Sequence, residues 1–132
     1  MMCMKRDRCT RSSSLLSTKG KSMKVWVKLV IFAPESHADQ IRTAAAKAGA
    51  GKIGKYSDCS FSLKGIGRFL PEKGSKPWIG RDNQLEEVVE ERIEMLCEET
   101  YLEQVLKQIS KVHPYEEPAI DIYPVYQKDS FI

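Results

Sequence analysis

The run from residue 84 to residue 112 constrains the fold more than any other part of the chain, because it fits two secondary structures. Its apolar residues recur at three- and four-residue steps, as in one long helix, yet several also alternate with glutamates, as in a strand. The segment Thr100-Tyr101-Leu102-Glu103 has the spacing of a capping box, which marks the beginning of a helix. We therefore predict a strand over about 86–98 and a helix over about 101–112.

Three other regions complete the pattern. Residues 25–33 form a nearly continuous β-branched and aromatic run, which is typical of a central strand. Residues 37–48 place small apolar side chains on one helical face, with Ser36 as the expected N-cap. Residues 56–70 alternate, and residues 119–126 have strand composition. The order β-α-β-β-α-β with right-handed crossovers predicts an α+β ferredoxin-like sandwich, in which two helices cover one face of one antiparallel sheet.

The N-terminal part differs in composition from the rest of this 132-residue chain. Residues 1–22 are rich in Ser and carry six Lys or Arg and one acidic residue, a net charge of +5. Because such a segment has little apolar surface to bury, we predict a disordered basic extension over residues 1–22, with a loose similarity to a transit peptide as the alternative. Residues 23–132 are long enough for a single domain with one core.

The charge and cysteine pattern excludes several classes of protein. The whole chain has a charge of +3 and its first 22 residues have +5, so residues 23–132 carry −2 and lack the basic surface of a nucleic-acid binder. No stretch approaches the ~20 apolar residues of a membrane span, so we expect no membrane partner. The four cysteines form no CxxC pair, which favours a reducing, cytoplasmic location.

Three connections are predicted to share one edge of the sheet. The direction of each strand in the predicted order places the turn at 34–37, the connection at 71–83 and the loop at 113–118 at the same end. Pro114 lacks a backbone N–H and disfavours helical dihedrals at His113, so the second helix should end there. This topology brings the two histidines of the chain, His37 and His113, to one edge and predicts a site at that edge.

The residues at this edge are candidate ligands. Imidazole and carboxylate groups suit a divalent metal such as zinc, so His37, His113, Tyr115, Glu116 and Glu117 form a candidate ligand or metal edge, and a divalent metal is the candidate cofactor. The alternative is structural, with the carboxylates bonding to backbone groups at the corner between helix and strand and the histidine at the helix C-terminus.

The connection at 71–83 is basic and aromatic. Lys73, Lys76, Trp78 and Arg81 make it a candidate effector loop that binds phosphate or a nucleotide at a subunit cleft. The alternative is that Trp78 and Ile79 pack against a neighbouring subunit, since exposed aromatic residues favour interfaces.

Two further motifs are interpreted as structural. The segment from Gly49 to Tyr56 nearly spells a phosphate-binding P-loop, but Tyr56 replaces the Ser or Thr hydroxyl and the segment follows a helix instead of preceding one. We interpret it as a helix stop and a turn. Cys59 has no nearby His in sequence to activate it, so Cys59 and Cys97 are predicted to be strand cysteines packed in the core.

Five segments carry a resemblance to a known family: APESH (33–37), AGAGKIGKYSDCSF (48–61), GIGRFLPEKGSKPWIG (65–80), VEERIEM (89–95) and HPYEEPAIDIYP (113–124). In this order they resemble the Nif-three-like (YqfO-type) proteins and, more narrowly, stand-alone proteins that match the PII/CutA-like domain inserted in that family. The resemblance implies the same order of elements, a homo-oligomer (trimer or dimer), and an effector role for the loop at 71–83. The resemblance places the dinuclear metal site of full-length relatives in flanking domains outside the five matched segments, so we do not expect the two histidines of this chain to reproduce it.

The function expected from these observations is a non-catalytic, oligomeric PII/CutA-like module. It would bind a small ligand, a metal or a protein partner at the loop edge. One alternative is a metal-dependent hydrolase acting on a nucleotide, following the GTP-cyclohydrolase-type label of full-length relatives. The other is a purely structural oligomerisation module.

Overall fold

The computed structural model describes residues 24–132, so the prediction for residues 1–22 lies outside the described part of the chain. The elements in order are β1 (Trp26–Pro34), α1 (Ala38–Ala48), β2 (Phe61–Phe69), β3 (Glu86–Glu98), α2 (Glu99–Val112) and β4 (Ile120–Val125), with short 3-10 turns at Glu35–His37 and Lys128–Ser130. The predicted β-α-β-β-α-β order is confirmed. In residues 24–132, neither helix is long and apolar enough to cross a membrane.

The four strands form one antiparallel sheet in the order β2-β3-β1-β4. The central strand β1 pairs with β3 along its whole length and with β4 from Trp26 to Ile31. The β2–β3 hairpin continues beyond the last β1 pair, Pro34 with Glu90, so its far end projects past the body of the sheet. This arrangement is the ferredoxin-like sandwich that the sequence predicts.

Both helices cover one face of the sheet, and the core lies between them. Alternate residues of the strands point to this face because side chains along a strand alternate between the two faces. The core is made of strand and helix side chains that are almost fully buried: Leu29, Ile31, Ile93, Met95, Ile41, Val105 and Ile109. Burying each large aliphatic side chain contributes about 1.5–3 kcal/mol, so this layer holds the helices on the sheet.

The opposite face of the sheet, here called the open face, has no helix over it within residues 24–132. The strand register places Val30 and Phe32 of β1 on this face together with Phe61 and Leu63 of β2 and Tyr123 of β4. Phe61 is 61% exposed, Leu63 53% and Tyr123 45%. The register also places Lys28, Arg92, Glu94 and Asp121 on this face, and Val30 is only 1% exposed. The open face is therefore a mixed surface whose exposed apolar side chains lie on β2 and β4.

Both predicted helix caps are wrong. The Ser36 hydroxyl contacts Nδ1 of the neighbouring His37 at 2.8 Å, and α1 begins after a 3-10 turn without a side-chain cap. In the second case α2 begins at Glu99, directly after β3 and before Thr100, again without a side-chain cap. The Glu99 N–H donates to the Val25 carbonyl at 2.8 Å, so the backbone next to β1 replaces the expected side chain.

The predicted start of β2 and the burial of Cys59 are also wrong. Strand β2 begins at Phe61 instead of Tyr56, because the preceding segment is held elsewhere. Gly51 donates its N–H to Leu96 O at 2.7 Å and accepts one from Cys59 at 2.8 Å, which leaves Cys59 half-buried before the strand. Cys97 is buried in the core, as predicted, and the turn after α1 has the predicted helix stop at Gly49, with φ of 126°.

Candidate functional site

The three connections predicted to share one edge do meet there. The His37 ring, in the turn after β1, packs edge-on against Trp78, with ring centroids 5.2 Å apart. Trp78 belongs to the long connection between β2 and β3, and its ring lies 6.1 Å from that of Tyr115, in the loop between α2 and β4. A row of aromatic contacts therefore links all three connections at this edge.

His113 is buried at the corner where α2 ends, with 7% of its surface exposed. The Tyr115 N–H donates to its Nδ1 at 3.2 Å, so Nε2 carries the proton and donates to the Phe32 carbonyl at 2.8 Å. Burial lowers the pKa of His113, which favours the neutral imidazole. Because both ring nitrogens are engaged, His113 joins the loop to β1 and has no free nitrogen for a ligand.

Tyr115 connects the loop after α2 to strand β3. Its hydroxyl donates to Oε2 of Glu90 on β3 at 2.6 Å. Burial first, and then this hydrogen bond to a carboxylate, raise the pKa of Tyr115, so the phenol keeps its proton. Gly67 of β2 makes room for this pair, because a Cβ at that position would overlap the Glu90 carboxylate.

Glu90 is a site residue that the sequence-based prediction missed. It is one of several glutamates on β3, and no local pattern separates it from the others. The register pairs Glu90 with Gly65, and its side chain extends along the strand, so that the carboxylate lies beside Gly67 and accepts from Tyr115.

Glu116 joins the loop after α2 to the long connection. The backbone N–H of Lys76 donates to Glu116 Oε1 at 2.9 Å. The connection itself is folded by two backbone hydrogen bonds, from Ser75 to Glu72 at 3.0 Å and from Asn83 to Pro71 at 2.6 Å. The long connection is therefore held over the edge by a carboxylate that accepts from its main chain.

A cleft of about 620 Å³ lies between the long connection, β3 and the loop after α2. Among the predicted site residues, Trp78, Tyr115, Glu116 and Glu117 line it. Lys73, Lys76 and Arg81 are not among the lining residues, and neither are His37 and His113. The structure thus separates the predicted residues into a group that lines the cleft and a group that does not.

The lining combines aromatic rings with acidic side chains. The rings belong to Phe32, Phe69, Trp78 and Tyr115. The charged lining residues are four carboxylates and one guanidinium: Glu72, Glu90, Glu116, Glu117 and Arg68. The surface inside the cleft is therefore acidic, although the connection that covers it is basic in sequence.

The metal hypothesis gains no support from this arrangement. Within residues 24–132, no group of three or more His, Cys, Asp and Glu side chains is arranged to hold a metal ion. Of the two histidines, His113 uses both ring nitrogens in hydrogen bonds, and His37 contacts Ser36 through Nδ1.

Comparison with curated proteins identifies relatives over most of the domain. No family model matches the chain. The chain is 50% identical over 98 residues to the GTP cyclohydrolase 1 type 2 homolog of Halalkalibacterium halodurans, covering 74% of this chain and 26% of the relative. It is 47% identical over 100 residues to the homolog of Bacillus subtilis, covering 76% of this chain and 27% of the relative. The chain thus spans about a quarter of the length of the curated relatives it matches.

Solved structures agree with this relationship. A Bacillus cereus protein related to NIF3 aligns with a TM-score of 0.69 and 41% identity, covering 79% of this chain and 26% of that chain. The periplasmic divalent cation tolerance protein CutA from Archaeoglobus fulgidus aligns with a TM-score of 0.56 and 16% identity, covering 77% of this chain and 85% of that one, which supports the fold alone. The predicted resemblance in sequence and in fold is confirmed.

Proposed function

We propose that this chain, a relative of the Nif-three-like proteins with a CutA-like fold, is a non-catalytic module that self-associates and binds a small ligand at its loop edge. The observation that carries the proposal is the cleft of about 620 Å³ under the long connection. Ligand sites are typically clefts of about 300–1,000 Å³, lined by aromatic residues and a few polar groups. This cleft has that size and that lining.

The groups at the edge support binding more than catalysis. A general acid or base works best when its pKa lies near the working pH. The pKa of Tyr115 is raised, its hydroxyl is bonded to Glu90, and His113 has no free ring nitrogen. The relatives named as GTP cyclohydrolase homologues are about four times as long as the matched segment, so their name alone does not favour the hydrolase alternative.

A thermal-shift screen tests ligand binding. The panel contains divalent metals, nucleotides and small aromatic amines, acids and alcohols. A ligand at about 100 times its Kd stabilises the folded protein by about 2.7 kcal/mol, which is a readily measured shift in Tm. Flat results across the whole panel would contradict the ligand-binding proposal and favour the purely structural alternative.

The open face supports the self-association part of the proposal. Phe61 and Leu63 are more than half exposed there, opposite the charged Glu94 and Arg92 of β3, and exposed apolar patches rimmed by polar residues mark interaction sites. Phe32 and Gly67 belong to the open face and also line the cleft. A second copy seated on the open face would therefore border the cleft.

Sedimentation velocity tests self-association with two matched variants. Leu63→Glu puts a charge on the open face, and Ile53→Glu puts one on the turn after α1, outside the four strands of the sheet; both side chains are about half exposed. We expect Leu63→Glu to weaken association roughly ten-fold or more even with Arg92 opposite it, because losing the burial of one Leu side chain costs about 1.5–3 kcal/mol, and a ten-fold change corresponds to about 1.4 kcal/mol. Ile53→Glu should sediment like the parent protein. A parent protein that is monomeric at micromolar concentration would refute this part of the proposal.

A further inference from the structure

One wall of the cleft is made of aromatic rings in mutual contact. Tyr115 lies between two others, with its ring centroid 6.3 Å from that of Phe69 and 6.1 Å from that of Trp78. The faces of aromatic rings attract cations, most strongly for Trp, through the negative charge above the ring plane. Another lining ring, that of Phe32, already contacts a cation, since the guanidinium carbon of Arg92 lies 5.7 Å from its centroid.

The charged side chains around this wall also favour a cation. Four carboxylates and one guanidinium line the cleft. The guanidinium, of Arg68, pairs with Glu87 at 3.2 Å. The side chains of Glu72 and Glu117 have no ion-pair partner within residues 24–132, so no ion pair occupies either carboxylate. An anionic ligand would meet net repulsion here, whereas a cation would meet attraction.

A third observation is independent of charge. Ser75 also lines the cleft, and its hydroxyl oxygen is buried without a hydrogen-bond partner among the described residues. A buried polar group without a partner destabilises the folded protein, and a hydrogen bond to it removes that cost. That oxygen has almost no exposed surface, so a polar group of a bound ligand would form this hydrogen bond after a small shift of the segment around Ser75.

From the rings, the carboxylates and the hydroxyl together, we infer that the cleft binds an organic cation with an aromatic body, such as an arylalkylammonium ion. A phosphate-bearing ligand is disfavoured, because Lys73, Lys76 and Arg81 lie outside the lining. This inference rests on the proposed function, since it assumes that the cleft is a ligand site. The ring stacks on Trp78 or Tyr115, and the ammonium group faces Glu72 and Glu117.

Titration calorimetry with four matched probes tests the ligand class. The probes are 2-phenylethylammonium, the neutral 2-phenylethanol, the anionic 3-phenylpropanoate, and ATP as a phosphate-bearing compound. We expect the ammonium ion to bind most tightly and to lose affinity as salt is raised from 50 to 500 mM, because salt screens exposed charges. We expect 2-phenylethanol to bind more weakly and the two anions to show no binding.

Two glutamine variants locate the binding to the cleft. Glu117→Gln removes one cleft charge and keeps the side-chain shape. Glu103→Gln is the control, because Glu103 is an exposed residue of α2 outside the cleft. One exposed ion pair is worth roughly 0.2–1 kcal/mol, so Glu117→Gln should weaken ammonium binding by up to about five-fold. Glu103→Gln should leave the affinity unchanged.

The outcomes separate this inference from the proposed function. If ATP, the carboxylate or the alcohol binds in the cleft as tightly as the ammonium ion, the cationic class is wrong while the cleft remains a ligand site. Ammonium binding that is unaffected by Glu117→Gln, or equally affected by Glu103→Gln, overturns the assignment to the cleft. If none of the four probes binds and the wider thermal-shift panel is also flat, both the inference and the ligand-binding proposal fail.

Discussion

Replacing His113 by Phe should destabilise the protein substantially, although the ring size is nearly kept. The substitution leaves the Phe32 carbonyl and the Tyr115 N–H without their imidazole partners, which lie 2.8 and 3.2 Å away in the parent. Each buried group left unpaired costs about 1–3 kcal/mol. Because the loop lies near the surface, we expect the two losses together to be in the lower part of this range, so the free energy of unfolding should fall by about 2–4 kcal/mol.

The same residue makes a prediction about pH. Burial lowers the pKa of His113 in the folded state, with smaller opposing effects from the Phe32 carbonyl and from Glu90. The unfolded chain therefore binds a proton more readily than the folded one, so the stabilising contribution is complete above pH ~6.5, the unfolded pKa. It is lost as the pH falls from there through the folded pKa, with a slope of at most about 1.4 kcal/mol per pH unit.

Urea unfolding at pH 7.5, 6.5, 6.0 and 5.5, at one fixed protein concentration, measures both effects. The chain has only two histidines, so His37→Gln is the matched control. His37→Gln should keep the fall in stability below pH 6.5, and His113→Phe should abolish it. The reasoning is refuted if the parent protein is equally stable at pH 7.5 and 5.5, or if His113→Phe retains the parental pH dependence.

Two further substitutions test the contacts around the site by urea unfolding. Gly67→Ala should lower the free energy of unfolding by about 1–2 kcal/mol, because the new methyl group displaces the Glu90 carboxylate. Gly65→Ala is the control and should be close to neutral, since the space around Gly65 is open. Equal effects of the two substitutions would contradict this explanation. Arg42→Met leaves the Glu91 carboxylate, 14% exposed and 2.5 Å from the guanidinium, without its charge partner. Arg42→Met should lower the free energy of unfolding by about 1–3 kcal/mol. Adding Glu91→Gln to the same chain should recover part of that loss. If it recovers none, an unpaired charge is not the cause.

The secondary structure of this protein was largely predictable because its signals are local. The alternation over β3 and the helical spacing over α2 are patterns within about a dozen residues each, and Pro114 ends the second helix through its own covalent geometry. The capping-box pattern at Thr100 indicated the change from strand to helix close to its true position. The cap itself was wrong because a backbone carbonyl of Val25, distant in sequence, takes its place.

The site was predictable in its location and not in its composition. Strand order alone brought the turn with His37, the long connection and the loop with His113 to one edge. Which side chains line the cleft depended on how the long connection folds, and its basic residues ended outside the lining.

The sequence by itself determined the order of the elements, the end of the second helix and the edge at which the connections meet, because these follow from short-range periodicity and the handedness of crossovers. Only the tertiary structure decided that His113 is bonded through both nitrogens, that Glu90 receives the Tyr115 hydroxyl beside Gly67, and that the cleft is acidic. Those features depend on strand register and on contacts with backbone groups. Every residue except proline has the same backbone N–H and C=O, so the sequence alone does not show which of these groups a side chain will meet.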